Sequence, residues 1–170
     1  MSCIGALIKN PVVLSPDMTV HDALTKLDAH QIRCAPVVDA NNHLVGMFGL
    51  HSLMEDLLPT AARIDMGVEN LDFAVGAAPG AAKRMRKVAP NLLNTHMDKD
   101  FQTLSRDTST LEAIRRLVKY GSPLAVIEND GKTFAGIVSE QSLLRMMYEI
   151  LQDVEIEEKE IAAHLAAGQQ

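Results

Sequence analysis

The sequence SPDMTVHDALTKL at residues 15–27 recurs 90 positions later as SRDTSTLEAIRRL at residues 105–117, with four identical residues. A second pair of segments, GMFGLHSL at 46–53 and GIVSEQSL at 136–143, has the same separation. The chain therefore contains an internal duplication. Because there are two copies, and a solenoid needs at least three repeats, the duplication predicts a paired domain rather than a repeat array.

Each copy predicts the same order of secondary structure. A short extended segment precedes a hydroxyl residue, Thr19 or Ser109, that stands three positions before an acid, and this spacing is typical of a helix N-cap. Apolar residues at helical spacing follow, and then two β-rich runs separated by turn residues. A second helix should begin near Leu50 and near Glu140, so the unit is β-α-β-β-α and the fold class is α/β. The predicted strands are 35–38, 44–48, 124–127 and 134–138.

The composition is that of a globular protein. The chain has 170 residues, of which 47% are apolar and 22% charged, enough to bury a core without disulfide or metal. A net charge of -6 argues against a nucleic-acid partner. No apolar run approaches the roughly 20 residues of a membrane span, and the first residues lack the basic stretch of a signal peptide. We therefore expect a soluble, cytoplasmic protein without a membrane partner.

The sequence offers no catalytic or metal-binding pattern. Cys3 and Cys34 lack the spacing of a zinc site or a disulfide framework, and the six histidines are scattered without an HExxH motif. We find no glycine-rich phosphate loop, no Ser/His/Asp order and no paired carboxylates that stand out. These observations predict a non-enzymatic protein with no metal and no resident cofactor.

Residues 59–92, between the two copies, are predicted to be a linker. The stretch AAPGAA at 77–82 predicts a break in secondary structure. The basic run KRMRK follows it at 83–87. Two interpretations of the basic run stay open. It is either a solvated patch of the linker or a docking surface for an anion or acidic partner.

The C-terminal region predicts a long helix. Apolar residues follow helical spacing from Glu140 and the pattern runs on to Leu165, while residues 149–160 carry six acids and one lysine. An apolar stripe that continues past the domain needs a surface on which to be buried. We expect it to pack along a partner subunit, which predicts a homodimer. A docking helix for another protein and a solvated tail are the alternatives.

Two β-α-β-β-α units, with APVVD at 35–39 ahead of a strand that ends in Gly46, resemble a cystathionine-β-synthase (CBS) domain pair. The resemblance implies two repeats related by pseudo-twofold symmetry, which bind a small ligand in clefts between them and act as a regulatory module. Adenine nucleotides and adenosyl compounds are the ligands that this family implies. The expected boundaries are repeat 1 at 4–58, the linker at 59–92, repeat 2 at 93–150 and a helical extension at 151–170.

The resemblance also implies where a nucleotide would bind. Nucleotide-binding copies end the last strand with Gly, two apolar residues, Ser or Thr, two further residues and Asp. The hydroxyl and the helix N-terminus then hold phosphate, and the carboxylate accepts bonds from the ribose hydroxyls. The first copy, GMFGLHS at 46–52, lacks both groups. The second copy keeps the hydroxyl as Ser139 and has Ser142 in place of the acid. Ser139 is either a phosphate contact or a simple N-cap.

The predicted ligand site lies mainly in the second copy. Arg33 stands just before the first Pro-Val-Val strand, where the family has basic phosphate contacts; its alternative role is that of a surface charge. The predicted function is ligand sensing, and the alternative is a ligand-free scaffold that acts through dimerisation and its C-terminal helix. The predicted ligand-binding residues are Gly136, Ile137, Val138, Ser139, Ser142, Ser122, Pro123 and Leu124 in the second copy, with Arg33 and Pro36 in the first.

Overall fold

The computed structural model describes residues 2–58 and 77–167, and these residues form an α/β fold with the predicted order of elements. Short 3-10 turns precede each repeat at Cys3–Ala6 and Leu93–Thr95. The strands are β1 (Cys34–Val38), β2 (Leu44–Gly49), β3 (Thr103–Ser105), β4 (Leu124–Ile127) and β5 (Phe134–Val138). The helices are α1 (Val20–Ala29), α2 (Leu50–Leu57), α3 (Ala77–Val88), α4 (Thr110–Tyr120) and α5 (Glu140–Ala167).

The described residues divide into two compact units. Each unit is built around one repeat but also contains the short N-terminal segment of the other repeat. The first-repeat unit contains residues 11–58, 77–101 and 132–134. The second-repeat unit contains residues 2–10, 102–131 and 135–167.

The first-repeat unit is built on an antiparallel pair of strands, β1 and β2, in which Cys34 lies opposite Gly49. The predicted extended segment before α1 joins this pair at Leu14. Its amide donates to the Pro36 carbonyl at 2.9 Å, and its carbonyl accepts from the Val38 amide at 2.9 Å. Leu14 is thereby buried in the core of the unit.

Both predicted N-caps are present. Thr19 Oγ1 accepts from the Asp22 amide at 3.1 Å and donates to the Asp22 carboxylate at 2.8 Å, so the two side chains close the first turn of α1. Ser109 caps α4 in the same way by accepting from the Glu112 amide at 3.3 Å. With the first turn fixed, the apolar spacing places one face of each helix in its core. These faces are Val20, Ala23 and Leu27 of α1, and Ala113 and Leu117 of α4.

The prediction of a break at residues 77–82 is wrong, because these residues begin α3. Pro79 occupies the first turn of this helix, where a missing amide hydrogen breaks no helical bond, and alanines supply high helix propensity. Met85 and Val88 pack against the first-repeat core, and Arg84 Nε donates to the Leu57 carbonyl at 2.5 Å. The second half of the predicted linker is therefore a packed helix; its residues 59–76 lie outside the described residues.

The sheet of the second-repeat unit has the strand order β3-β4-β5, with β3 parallel to β4. The N-terminal segment of the first repeat extends this sheet at Ile8. The Ile8 amide donates to the Ile137 carbonyl at 2.9 Å, and the Ile137 amide donates back at 3.1 Å. In the first-repeat unit, Met47 of β2 exchanges the same two bonds with Asp98 at 2.9 and 2.8 Å. Ile8 and Asp98 are also 90 positions apart. The duplication thus includes these two short segments, each of which pairs with a strand of the other repeat.

The predicted C-terminal helix is confirmed as one continuous element of 28 residues, α5. Leu143 and Met146 are buried in the second-repeat core and Ile150 packs against it. Leu144 and Met147, which the sequence places on the same apolar stripe, are instead exposed. The stripe therefore divides into an inward and an outward face. Among the described residues, no helix is long and apolar enough to cross a membrane.

Substituting alanine at Gly136 should destabilise the fold, because it should force apart the backbone pairing of Ile8 with Ile137. Its φ of +147° is one that side-chain-bearing residues rarely adopt, and a Cβ would overlap the Ile8 carbonyl oxygen. The backbone strain alone costs about 1–3 kcal/mol, so Gly136→Ala should lower Tm by about 2–12 °C from this cause, and the overlap with Ile8 should add to the loss. Gly131→Ala is the control, because Gly131 also has a positive φ but open space around it. Equal losses of Tm in the two variants would contradict the close approach.

The stability of the fold at low pH should depend on Glu112. Hydrogen bonds from Arg115 and Arg116, both at 2.7 Å, hold the pKa of Glu112 at about 2, below its ordinary value of 4.5. A carboxyl whose pKa is lower in the folded chain stabilises it above pH 4.5, and the effect is lost as the pH falls towards 2. Urea unfolding of Glu112→Gln between pH 2 and pH 7 should therefore show a flatter pH dependence, and Arg115→Gln a partly flattened one. A curve for Glu112→Gln parallel to that of the natural chain would refute this assignment.

Candidate ligand-binding site

The end of β5 and the start of α5 form the framework of the candidate site. Gly136 is buried against the Ile8 backbone, and both backbone groups of Ile137 are used in the bridge to Ile8. Val138 is fully buried in the core. These three residues therefore fix the position of the chain at Ser139, and none of them has a polar side chain that could recognise a ligand.

Three serine hydroxyls converge on the N-terminus of α5. Ser139 Oγ accepts from the Ser142 amide at 3.1 Å, and Ser142 Oγ accepts from the Ser139 amide at 3.0 Å. Ser142 Oγ also donates to the Ser139 carbonyl at 3.0 Å. Ser122 Oγ, from the segment before β4, accepts from the Glu140 amide at 3.2 Å. The hydroxyls thus satisfy the amides that a helix N-terminus leaves without partners.

The N-cap interpretation of Ser139 describes this geometry, but it leaves the hydroxyl hydrogen unused. Ser139 and Ser122 each accept one bond, and neither hydroxyl donates to a described residue. Ser142 differs, because it both accepts and donates within the cap. Two of the three serines therefore have a donor left for a ligand oxygen.

The remaining predicted residues of the second repeat differ in exposure. Pro123 is half-buried and Leu124 is buried in the core at the start of β4. Ser122 is exposed. The bond from Glu140 to Ser122 brings this segment to the N-terminus of α5, so the structure places all eight predicted residues of the second repeat in one region.

The two predicted residues of the first repeat lie in the other compact unit. Pro36 is fully buried in β1, and its carbonyl accepts from Leu14. Arg33 is exposed, and its guanidinium has no hydrogen-bond or ion-pair partner among the described residues. Its side chain borders an open cavity of about 350 Å³ on the surface of the first-repeat unit. The other residues that line this cavity are Leu24, Leu27, Asp28, Gln31, Ile32 and Leu50.

This cavity was not predicted from the sequence. Leu24, Leu27 and Asp28 show helical spacing, which places them on neighbouring positions of α1 but says nothing of what faces them. Gln31, another of the lining residues, follows α1 with a φ of +55°. A non-glycine residue in that region gives no pattern in the sequence by which the turn could be found.

The first repeat cannot hold a hydroxyl at the position equivalent to Ser139 without rearrangement. Gly49 stands there, at the start of α2, and no side chain caps that helix. A Cβ at Gly49 would lie 3.0 Å from the Arg33 carbonyl oxygen and 3.2 Å from Cys34 Cβ. The close approach of β1 explains glycine at this position, and it leaves the first repeat without the hydroxyl donor of the second.

Neither cysteine is activated for chemistry. Cys3 is buried, and burial raises the pKa of its thiol. Burial and, to a smaller extent, the Asp98 carboxylate raise the pKa of Cys34 to about 11. Within residues 2–58 and 77–167, no cluster of three or more His, Cys, Asp or Glu side chains could hold a metal ion.

Comparison with known proteins identifies the fold. The family model described as "CBS domain" matches residues 4–59 and 92–149. Among solved structures, CBSX2 from Arabidopsis thaliana is 22% identical with a TM-score of 0.67, covering 89% of this chain and 96% of that one. The structure of CBSX2 in complex with AMP is 23% identical with a TM-score of 0.64, and the match covers 88% of this chain and 97% of that one. A putative acetoin utilization protein (AcuB) from Vibrio cholerae is 18% identical with a TM-score of 0.67, covering 91% and 96%.

One curated relative is a much longer protein. The A-adding tRNA nucleotidyltransferase of Aquifex aeolicus (strain VF5) is 27% identical over 142 residues, which are 84% of this chain but 14% of that enzyme. The two family matches together cover more than half of the present chain, and they coincide with the two copies of the duplication. The chain belongs to the CBS domain family and contains a CBS domain pair.

Proposed function

We propose that this chain is a regulatory module that binds a small ligand, either an adenine nucleotide or an adenosyl compound. The observation that carries the proposal is the group of three serine hydroxyls, Ser122, Ser139 and Ser142, at the N-terminus of α5. A helix N-terminus attracts anions through its amides and dipole. Ser122 and Ser139 can donate to phosphate oxygens without giving up the bonds that they accept. The AMP complex of CBSX2 supports this ligand class.

The ribose would be held more weakly than where the family has a carboxylate. Ser142 can offer one neutral hydrogen bond, worth about 0.5–1.5 kcal/mol, against about 1.5–3 kcal/mol for a bond to a charged group. Ser142 must also give up its bond to the Ser139 carbonyl in order to donate to a ligand. Within the first-repeat unit, the exposed guanidinium of Arg33 is proposed as a separate phosphate contact at the cavity that it borders.

Regulation would follow from differential binding. A ligand that binds one arrangement of the module better than another shifts the population towards that arrangement, and no catalytic step is required. We accordingly propose a non-enzymatic protein. We further propose a cytoplasmic module without a membrane partner, and the net charge of -6 argues against a nucleic-acid partner.

A thermal-shift screen tests the ligand directly. AMP, ADP, ATP, S-adenosylmethionine, nicotinamide dinucleotides and coenzyme A derivatives are compared, and a ligand at about 100 times its Kd adds about 2.7 kcal/mol. For a chain of this size the expected rise in Tm is about 5–10 °C. Ser139→Ala, Ser122→Ala and Arg33→Ala should each reduce this rise, measured from the Tm of the same variant without ligand.

The control for the serine variants is Ser15→Ala, which removes an exposed hydroxyl that accepts from the Asp17 amide far from α5 in the sequence. It should leave the ligand-induced rise unchanged. No rise in Tm with any compound of the panel would refute the proposal, as would a rise that all variants retain.

Restoring the acid should strengthen ribose binding. Ser142→Asp places a carboxylate three residues after the N-cap, a position that helices favour, so the fold should be kept. A gain of about 1 kcal/mol corresponds to roughly a fivefold tighter Kd for AMP by calorimetry. Ser142→Asn is the control, because it has similar size and no charge. If Ser142→Asp changes neither the Kd for AMP nor the Tm, the ribose does not bind at residue 142 and this part of the proposal is wrong.

The second candidate function is a ligand-free scaffold that acts as a homodimer through its C-terminal helix. The observation in its favour is the outward apolar face of α5, where Leu144, Met147 and Leu151 are exposed. A scaffold should ignore every compound of the panel but lose its oligomeric state when residues 151–170 are removed.

A further inference from the structure

The open cavity of the first-repeat unit has the dimensions of a site for a small ligand. Its volume is about 350 Å³, and it lies where α1 ends and α2 begins. Small-molecule sites in proteins have volumes of about 300–1,000 Å³. The cavity is at the lower end of this range, so it suits a ligand the size of one amino acid better than a whole nucleotide.

The apolar part of the cavity is entirely aliphatic. Leu24 and Leu27 come from α1, Ile32 follows that helix, and Leu50 is the first residue of α2. Among the described residues that line the cavity, none is aromatic. This lining favours the burial of a branched aliphatic group of the ligand.

Two opposite charges border the same cavity. Asp28 and Arg33 are exposed, and neither side chain has a hydrogen-bond or ion-pair partner among the described residues. Lys26, the basic residue in the last turn of α1, donates to the Val13 carbonyl at 2.9 Å and does not pair with Asp28. The cavity therefore has one carboxylate and one guanidinium that are available to a ligand.

The turn that carries these two charges is held by hydrogen bonds. The Gln31 amide donates to the Asp28 carbonyl at 3.0 Å, and Gln31 Nε2 donates to the same carbonyl at 3.2 Å. The Arg33 carbonyl accepts from the Leu50 amide at 2.9 Å. The backbone of both charged residues is thus fixed in advance, which reduces the entropy that is lost when a ligand binds.

We propose that this cavity binds a free α-amino acid with a branched aliphatic side chain. The ammonium group of the ligand pairs with the Asp28 carboxylate, and its carboxylate pairs with the Arg33 guanidinium. The partial negative charge at the C-terminal end of α1 also favours the ammonium group. Because both charged groups of an amino acid are attached to one carbon, such a ligand can meet both charges while its side chain enters the aliphatic lining.

The inference goes beyond the proposed function, because it assigns a second ligand to the first-repeat unit. A phosphate group and the carboxylate of an amino acid would compete for Arg33. Asp28 favours the amino acid, since its carboxylate attracts an ammonium group and repels a phosphate that carries two negative charges. The nucleotide site proposed at the serine hydroxyls of α5 is unaffected by this choice.

The test is calorimetry and thermal shift of the full chain with L-leucine, L-isoleucine and L-valine. An amino acid that binds should raise Tm by about 5–10 °C at about 100 times its Kd. Three analogues of L-leucine each lack one recognised group: L-leucinamide lacks the carboxylate, 4-methylpentanoate lacks the ammonium group and L-alanine lacks the branched side chain. Each should bind about tenfold more weakly than L-leucine, or weaker still.

Two variants remove the charges and nearly preserve the size of the side chains. Asp28→Asn and Arg33→Gln should each raise the Kd for L-leucine by about tenfold or more. Asp17→Asn and Arg86→Gln make the same changes at exposed positions elsewhere in the first-repeat unit, so they should leave this Kd unchanged. Circular dichroism and the Tm without ligand identify any variant that has failed to fold.

Failure of all three amino acids to bind overturns the inference, even if inorganic phosphate binds. Equal Kd values for 4-methylpentanoate and L-leucine overturn it too, as does a Kd that both charge variants leave unchanged. AMP separates this inference from the proposed function. Asp28→Asn should lose the rise in Tm with L-leucine and keep the rise with AMP, whereas Ser139→Ala should keep the rise with L-leucine and reduce the rise with AMP.

Discussion

The pairing of Ile8 with Ile137 is the constraint on which the second-repeat unit depends. Two backbone bonds at 2.9 and 3.1 Å bind the N-terminal segment to β5, and Gly136 permits the approach because a side chain there would overlap the Ile8 carbonyl. The adjacent turn at Cys3–Ala6 contributes Cys3 and Ala6 to the core around α4 and α5. The N-terminal segment of the first repeat is thus an integral part of the unit built around the second.

That pairing also determines where the candidate site stands. Ile137 is held on both backbone groups and Val138 is buried, so the chain enters α5 at Ser139 with little freedom. The N-terminus of the helix and its serine hydroxyls are therefore presented by a rigid framework, which favours recognition because little entropy is lost on binding. Gly136 therefore contributes to the position of the ligand site as well as to the stability of the fold.

Local signals in the sequence were sufficient to predict most helices and strands, but not which segments pair with one another. The hydroxyl–acid spacing at Thr19 and Ser109 predicted both helix starts, and β-rich runs predicted the strands to within one residue. The pairing of Ile8 with Ile137 was not predictable, because a pairing across more than a hundred residues leaves no periodic pattern in the sequence. Helix α3 was missed because proline was read as a break, although a first-turn proline is compatible with a helix. Periodicity identified α5 but could not divide its apolar residues between core and solvent.

The two candidate functions meet in α5, whose N-terminus carries the candidate ligand site and whose outward apolar face, with Leu144, Met147 and Leu151, favours a homodimer. A continuous helix of 28 residues is about 40 Å long, so a small rotation at Ser139 moves the C-terminal end of the helix by a much larger distance. If ligand binding and dimerisation both depend on the orientation of α5, the factor by which the ligand changes the dimer Kd equals the factor by which dimerisation changes the ligand Kd, since linkage between binding equilibria is reciprocal. A ligand whose Kd differs between monomer and dimer would therefore make this helix the element that couples sensing to assembly. Equal Kd values would mean that the two surfaces of α5 act independently.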